Sequence, residues 1–281
     1  MKKKLIFIIL LGLLIAVLFL IPKDTYAKIF GKGNSQDDNI NVSGEPILVY
    51  MCNDKNQIVG VNAYVASVEE DAISQKFDIL TKKTGTFNDT YTTTINTNTS
   101  LVSYETENNI LTLNLTEDFL NSEGRKTIEQ MVWTFCDDEI NELVINVNDQ
   151  KINSLNGFNF DNITKDLGIN ITCETSYLFE ANHTTIIEYL NECILPVTYF
   201  YLDMEACDFI VSKLFDSEIV VENGYDYVLS ENSVIIDVSS NNLLSENLKK
   251  SLEATFNYNL NISNITVQGI DQVLLEIKTE N

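Results

Sequence analysis

Apolar and polar positions alternate along this chain in two periods, and the order in which the periods appear is repeated. An apolar run from Ile47 to Met51 meets a polar turn, Asn53-Asp54-Lys55-Asn56, and then a β-branched stretch from Ile58 to Val65. Two such runs separated by a short polar cluster predict a β-hairpin. Ser67-Val68-Glu69-Glu70 has capping-box spacing, so a helix is expected to begin there. Ile73, Phe77 and Leu80 follow at i, i+4 and i+7, one face of that helix. Residues 84–100, rich in Thr and Asn, read as a long loop or weak strand. Leu101–Tyr104 leads to the turn Glu107-Asn108-Asn109, after which Leu111, Leu113 and Leu115 alternate with polar residues as a half-buried strand. Ser122 is the expected cap of a second helix with the stripe Ile128, Met131, Val132 and Phe135. Leu143, Ile145 and Val147 alternate as a closing strand, and the order is β-β-α-β-β-α-β.

The same order returns after residue 174. Tyr177-Leu178-Phe179 is apolar, and a polar turn is expected through Asn182-His183-Thr184. Ile194–Leu202 reads as a strand in which Pro196 suggests a sheet edge. Asp203 is a plausible cap for a helix carrying Cys207, Ile210, Val211 and Leu214. Tyr225–Leu229, a turn at Glu231-Asn232-Ser233, and the alternation Val234, Ile236, Val238 form the next hairpin. Ser245 resembles Ser122 as a cap, and Leu248, Leu252 and Phe256 make a stripe before strands at Ile265–Val267 and Val273–Ile277. Leu113-Asn114-Leu115-Thr116 corresponds to Ile236-Asp237-Val238-Ser239. Copies roughly 120–135 residues apart are too widely spaced for solenoid units. The expected fold class is therefore α+β, with two tandem small domains, 46–152 and 174–281, joined by a linker at 153–173 that contains Gly157 and Gly168.

The amino end changes the topological picture. Lys2, Lys3 and Lys4 precede an apolar run from Leu5 to Ile21 that only Gly12 interrupts. Such a run sits between the length of a signal-peptide core and the ~20 residues that span a bilayer. It is either an uncleaved signal-anchor or a signal peptide cut after Ala27. In both cases the lysines hold the amino end in the cytoplasm and the body is exported. No Cys near residue 27 offers a lipid-anchor site, and residues 29–45 form a polar linker.

The chain has 281 residues and a net charge of −23, which becomes −26 without residues 1–27. That acidity disfavours nucleic acid and anionic lipid surfaces as partners, because phosphates are repelled. Hydrophobic residues at 44% allow real cores. Cys52, Cys136, Cys173, Cys193 and Cys207 are an odd, widely spaced set without a C-x-x-C pair, which leaves zinc and thiol-redox chemistry without support. One disulfide is possible, and the spacing selects no pair.

The stretch from Leu111 to Asn148 carries a more specific pattern: Asn114-Leu115-Thr116, then Gln130-Met131-Val132-Trp133-Thr134-Phe135, then Val144-Ile145-Asn146-Val147-Asn148-Asp149. It resembles the GerM domain family of bacterial sporulation and spore germination. The resemblance covers residues 46–152 well and 174–278 weakly. Asp237 keeps the family acid that Asn114 replaces, and Thr255-Phe256 stands where the helix-ending Thr-Leu pair is expected. Neither copy has the family's Asp-Gly turn. The resemblance implies a fold like the ring-building modules of secretion and sporulation channels. It also implies attachment to the membrane, a position outside the cytoplasm, and no known catalytic residue.

The remaining chemistry is sparse. His183, the single His, is expected in an exposed turn with no second soft ligand beside it, so no metal or cofactor site is expected. No G-x-S-x-G or regular calcium loop occurs. Acid clusters such as Asp137-Asp138-Glu139 read as solvated turns, and Asn-x-Thr triplets such as Asn170-Ile171-Thr172 as Asn-rich composition. Trp133 lies beside its helical stripe. It is expected half-buried in a sheet–helix seam, with an exposed anchor for a partner as the alternative. These readings converge on a non-catalytic scaffold that docks on other exported or envelope proteins or on itself. The rival is a cell-wall polysaccharide-binding or hydrolysing protein using scattered carboxylates.

Overall fold

In the computed structural model each half of the chain opens with a hairpin, and the two hairpins build one sheet. The structure describes residues 44–68, 71–82, 85, 90–173, 181–215 and 224–278. The apolar run 5–21, the cleavage position at Ala27, nearly all of the polar linker, Glu69-Glu70 and Tyr177–Phe179 lie outside the described residues. Among the described residues no helix is long and apolar enough to cross a membrane.

The first module runs β1 (Glu45–Cys52), β2 (Ile58–Val65), α1 (Ala72–Leu80), β3 (Leu101–Glu107), β4 (Ile110–Leu115), α2 (Gly124–Phe135) and β5 (Glu142–Val147). A short β6 (Gln150–Lys151) closes it. The second runs β10 (Asn182–Tyr189), β11 (Ile194–Tyr201), α3 (Ala206–Phe215), β12 (Tyr225–Leu229), β13 (Ser233–Val238), α4 (Glu246–Leu260), β14 (Asn264–Gln268) and β15 (Val273–Ile277). Between them lie β7 (Ser154–Leu155), β8 (Phe158–Asn159) and β9 (Thr172–Cys173). In each module the second long helix crosses between parallel strands, β4 to β5 and β13 to β14. The alternating leucines at 111, 113 and 115 pair in register with Leu143, Ile145 and Val147, and all are buried.

The central sheet has the order β1-β2-β11-β10, with β9 added beside β11. Its two outer edges, β1 and β10, would be open to unwanted strand pairing. Helix side chains cover both. Thr134 Oγ1 of α2 accepts the Tyr50 N–H at 3.0 Å. On α4, Ser251, Thr255 and Asn259 recur every four residues and accept the N–H groups of Tyr189, Ile187 and Thr185 at 2.8–2.9 Å. The polar stripe of α4 is thus a surrogate strand. Of the polar ends of the Gln-Met-Val-Trp-Thr motif, Thr134 plays this part on β1, while Gln130 Oε1 accepts the Thr94 N–H at 2.9 Å and holds the Thr/Asn loop.

Several local expectations give way. α1 begins at Ala72 and is capped by Asp71, which accepts the Ser74 N–H at 3.0 Å; Ser67 instead offers its carbonyl to Gln75. Ser122 accepts the Asn96 N–H and ties down the Thr/Asn loop, and α2 starts after Glu123 without a side-chain cap. Ser245 does cap α4, accepting from Leu248 N at 3.1 Å. Residues 182–184 are strand, not turn, because Thr184 and Thr185 are buried with hydroxyl partners at Tyr201 and Thr198. Pro196 sits in the interior strand β11, in the gap between its single residue pair with β2 at Ile194–Gly60 and its pairing with β9. The segment 153–173 does not behave as a loose linker, since Leu155, Phe160, Ile163 and Ile169 are buried in the first core. Ile187 of β10 joins that core while Ile186 joins the second, so one strand serves both. Residues 43–281 accordingly form one compact unit.

Candidate functional site at the module junction

The junction is built from four segments. Trp133, one residue past the buried position Val132 on α2, is only 5% exposed. Its ring lies 5.5 Å from Tyr50 of β1, edge-on, and 5.5 Å from Tyr258 of α4. The Lys165 ammonium lies 5.1 Å from the Trp133 ring centre, a cation–π distance. Tyr258 Oη donates to the Lys165 carbonyl at 3.4 Å. Trp133 is therefore buried between the first module, the connecting segment and the second module, and is no exposed anchor. Among the described residues its Nε1 has no hydrogen-bond partner.

A second contact is polar. Asn170 Oδ1 accepts the Ile58 N–H at 2.8 Å, and its Nδ2 donates to the carbonyls of Ile58 at 2.7 Å and Pro196 at 2.8 Å. This side chain occupies the gap that Pro196 leaves between β2 and β11. Glu129, ion-paired with Arg125 at 2.7 Å, accepts the Asn170 N–H at 3.2 Å. Neither Asn170 nor Lys165 stands out in the sequence. Asn170 is one Asn among many, and Lys165 belongs to no motif.

Beside the aromatic cluster lies a cavity of about 270 Å³ whose walls include Lys165, Asp166, His183, Thr184, Tyr258 and Asn259. Gly168 also lines it, with φ +74°, and a Cβ there would meet Thr198 at 3.1–3.2 Å. His183 projects from β10 against the Phe200 ring, 5.8 Å away. A separate open cleft of about 810 Å³ is walled by Asp203, Glu205, Asp208 and Tyr225. The Asp208 carboxylate there accepts the Tyr225 and Tyr227 hydroxyls at 3.4 and 3.3 Å. Among the described residues no group of three or more His, Cys, Asp or Glu could hold a metal ion. Asp137-Asp138-Glu139 is an exposed turn closed by Asp137, which accepts from Glu139 N and Ile140 N.

Cys52, Cys136, Cys193 and Cys207 are free thiols. Burial pushes Cys136 up to about 11 and Cys207 up to about 12. A thiol must ionise to react. At pH 8, iodoacetamide should therefore label these two at least about tenfold more slowly in the native protein than in urea, measured by mass spectrometry. The linkage sign is fixed as well. Unfolded thiols ionise near pH 9 and the folded ones only later, so this contribution to stability falls as pH rises above 9.

These features define a class: two α+β modules of one topology, locked through a shared sheet and an aromatic junction. The family model described as Germane, sporulation and spore germination, matches residues 48–153. The match covers the first module and leaves the second outside it. The tandem GerMN domains of the sporulation protein GerM from Bacillus subtilis match with a TM-score of 0.67 at 13% identity, over 81% of this chain and 92% of that one. That likeness extends the fold to the second module. The first GerMN domain of the same protein matches at a TM-score of 0.38, with 10% identity, over 43% of this chain and 98% of that one. A putative lipoprotein from Clostridium perfringens matches at 0.30, with 17% identity, over 43% and 87%. No curated protein matches the chain.

Proposed function

We propose that this chain is an exported, membrane-attached, non-catalytic interaction protein of the sporulation and germination kind. In this reading its second module carries the docking face. The apolar run behind three lysines supports attachment. The observation that carries the reading is a difference between the two modules' open sheet faces. Val228 and Ile235, paired across β12 and β13, are 60% and 45% exposed. At the corresponding places the first module has Glu105 paired with Thr112. Asp226 and Asp237 are paired two residues along and flank the apolar spot with like charge. A partner with a basic rim around an apolar patch complements that pattern.

The test is a photo-crosslinking residue placed at Ile235, or at Glu105 as the control, in the protein's own membranes. One exported protein captured from Ile235 and not from Glu105, and lost in Val228→Asp, is the expected result. Recovery of the bait alone from both positions would sink the docking reading.

A further inference from the structure

The junction cavity has a chemical bias opposite to that of the whole chain. Against a net charge of −23, it gathers Lys165, the only His of the sequence, and Ala206, the first residue of the ten-residue helix α3. A helix N-terminus is the positive end of its dipole and favours anions. Lys165 forms no ion pair among the described residues. Its ammonium rests on the Trp133 face, and burial lowers its hold on the proton. Asp137 and Asp138 attract this cation without pairing with it directly, so an anion entering the cavity would supply the close partner that it lacks. The far wall is hydroxylic. Thr184 pairs with Tyr201 Oη at 2.6 Å and Thr185 with Thr198 at 2.8 Å, all within buried positions. Of the residues lining the cavity only Asp166 is acidic, and it is exposed with its carboxylate accepting the Thr164 hydroxyl at 3.4 Å; further acids lie outside the lining, Asp208 in the first turn of α3 and Asp137 and Asp138 toward Lys165.

We infer that this cavity binds a small oxyanion, a carboxylate or phosphate group on a body no larger than a monosaccharide, with the Lys165 ammonium and the His183 imidazole as its donors. The flexible lysine stem carries the ammonium from the indole face to the ligand. The site is independent of the sheet face proposed for docking, and neither reading depends on the other.

Trp133 is the only tryptophan, and Lys165 lies over it, so its emission reports directly on the cavity. The experiment titrates the full chain in detergent with inorganic phosphate, glucuronate and glucose at constant ionic strength, following Trp133 emission and heat. Phosphate, glucuronate or both should give a saturable change while glucose gives none; which of the two binds tighter identifies the group. Lys165→Met and His183→Gln should each weaken binding by about tenfold or more, since each removes a charge-assisted contact. His183 is exposed, so its variant keeps the test valid if Lys165→Met loosens the junction. Absence of saturation with all three probes, saturation by glucose alone, or unchanged affinity in His183→Gln and Lys165→Met would overturn the assignment.

Discussion

Trp133→Ala is expected to lower the unfolding free energy by about 3–5 kcal/mol, the usual range for removing a buried aromatic, and to split one urea transition into two. The indole touches Tyr50, Tyr258 and Lys165, which belong to the first module, the second and the segment between them. Its loss therefore opens a cavity where the halves communicate. Each half keeps its own core, one around Phe77, Leu113 and Phe135 and the other around Ile210, Leu252 and Phe256. Far-UV circular dichroism, which needs no tryptophan, would follow both transitions. Trp133→Phe is the informative control. It retains part of the ring packing and removes an Nε1 that has no partner among the described residues, so it should cost clearly less than Trp133→Ala and keep a single transition. A single unchanged transition in Trp133→Ala would mean that the shared sheet alone couples the modules.

Much of the fold was legible because its signals are local. Leu111, Leu113 and Leu115 alternate because one face of β4 is buried. Ile128, Met131, Val132 and Phe135 recur because one face of α2 is buried. Ser245 caps α4 through its own hydroxyl three residues ahead. Misreadings arose where a distant partner satisfied a polar group. Asn182-His183-Thr184 reads as a turn until the Thr184 hydroxyl meets Tyr201, seventeen residues on. Pro196 reads as an edge until Asn170, twenty-six residues away, takes its carbonyl. The polar stripe Ser251, Thr255, Asn259 looks like a solvated face until its partners prove to be β10 amides. The candidate site divides in the same way. Trp133 could be singled out as the lone tryptophan, but its neighbours come from positions 50, 165 and 258. Lys165 has no sequence signal because its place depends on how the connecting segment folds back.

Asn170 is where the connecting segment has its largest predicted effect per atom removed. Asn170→Ala takes away one acceptor and one doubly donating amide. The Ile58 N–H and the Ile58 and Pro196 carbonyls then lose their partner, and Ile58 itself is fully buried. Unpaired buried polar groups cost about 1–3 kcal/mol each, with water able to recover part. The backbone adds to this, since Asn170 has φ +46°, a left-handed conformation that asparagine tolerates and alanine resists by about 1–2 kcal/mol. A total loss of about 3–5 kcal/mol is expected, with faster hydrogen exchange at the Ile58 amide. Asn170→Gly separates the two causes, because glycine accepts the backbone angle and still lacks the amide. It should recover only the smaller, conformational part. Asn170→Asp keeps the acceptor for Ile58 N–H but turns a carboxylate toward two carbonyls, with Glu129 already on the Asn170 N–H. Those neighbours raise the new carboxyl's pKa in the folded state above its unfolded value. The Asp variant's contribution is then present at low pH and lost as pH rises through the folded value, so it should gain stability on acidification from pH 7 while Asn170→Ala gains none. If Asn170→Ala melts within about 1 kcal/mol of the parent with Ile58 still protected from exchange, the bridge between β2 and β11 is not what joins the hairpins, and the aromatic junction carries that task alone.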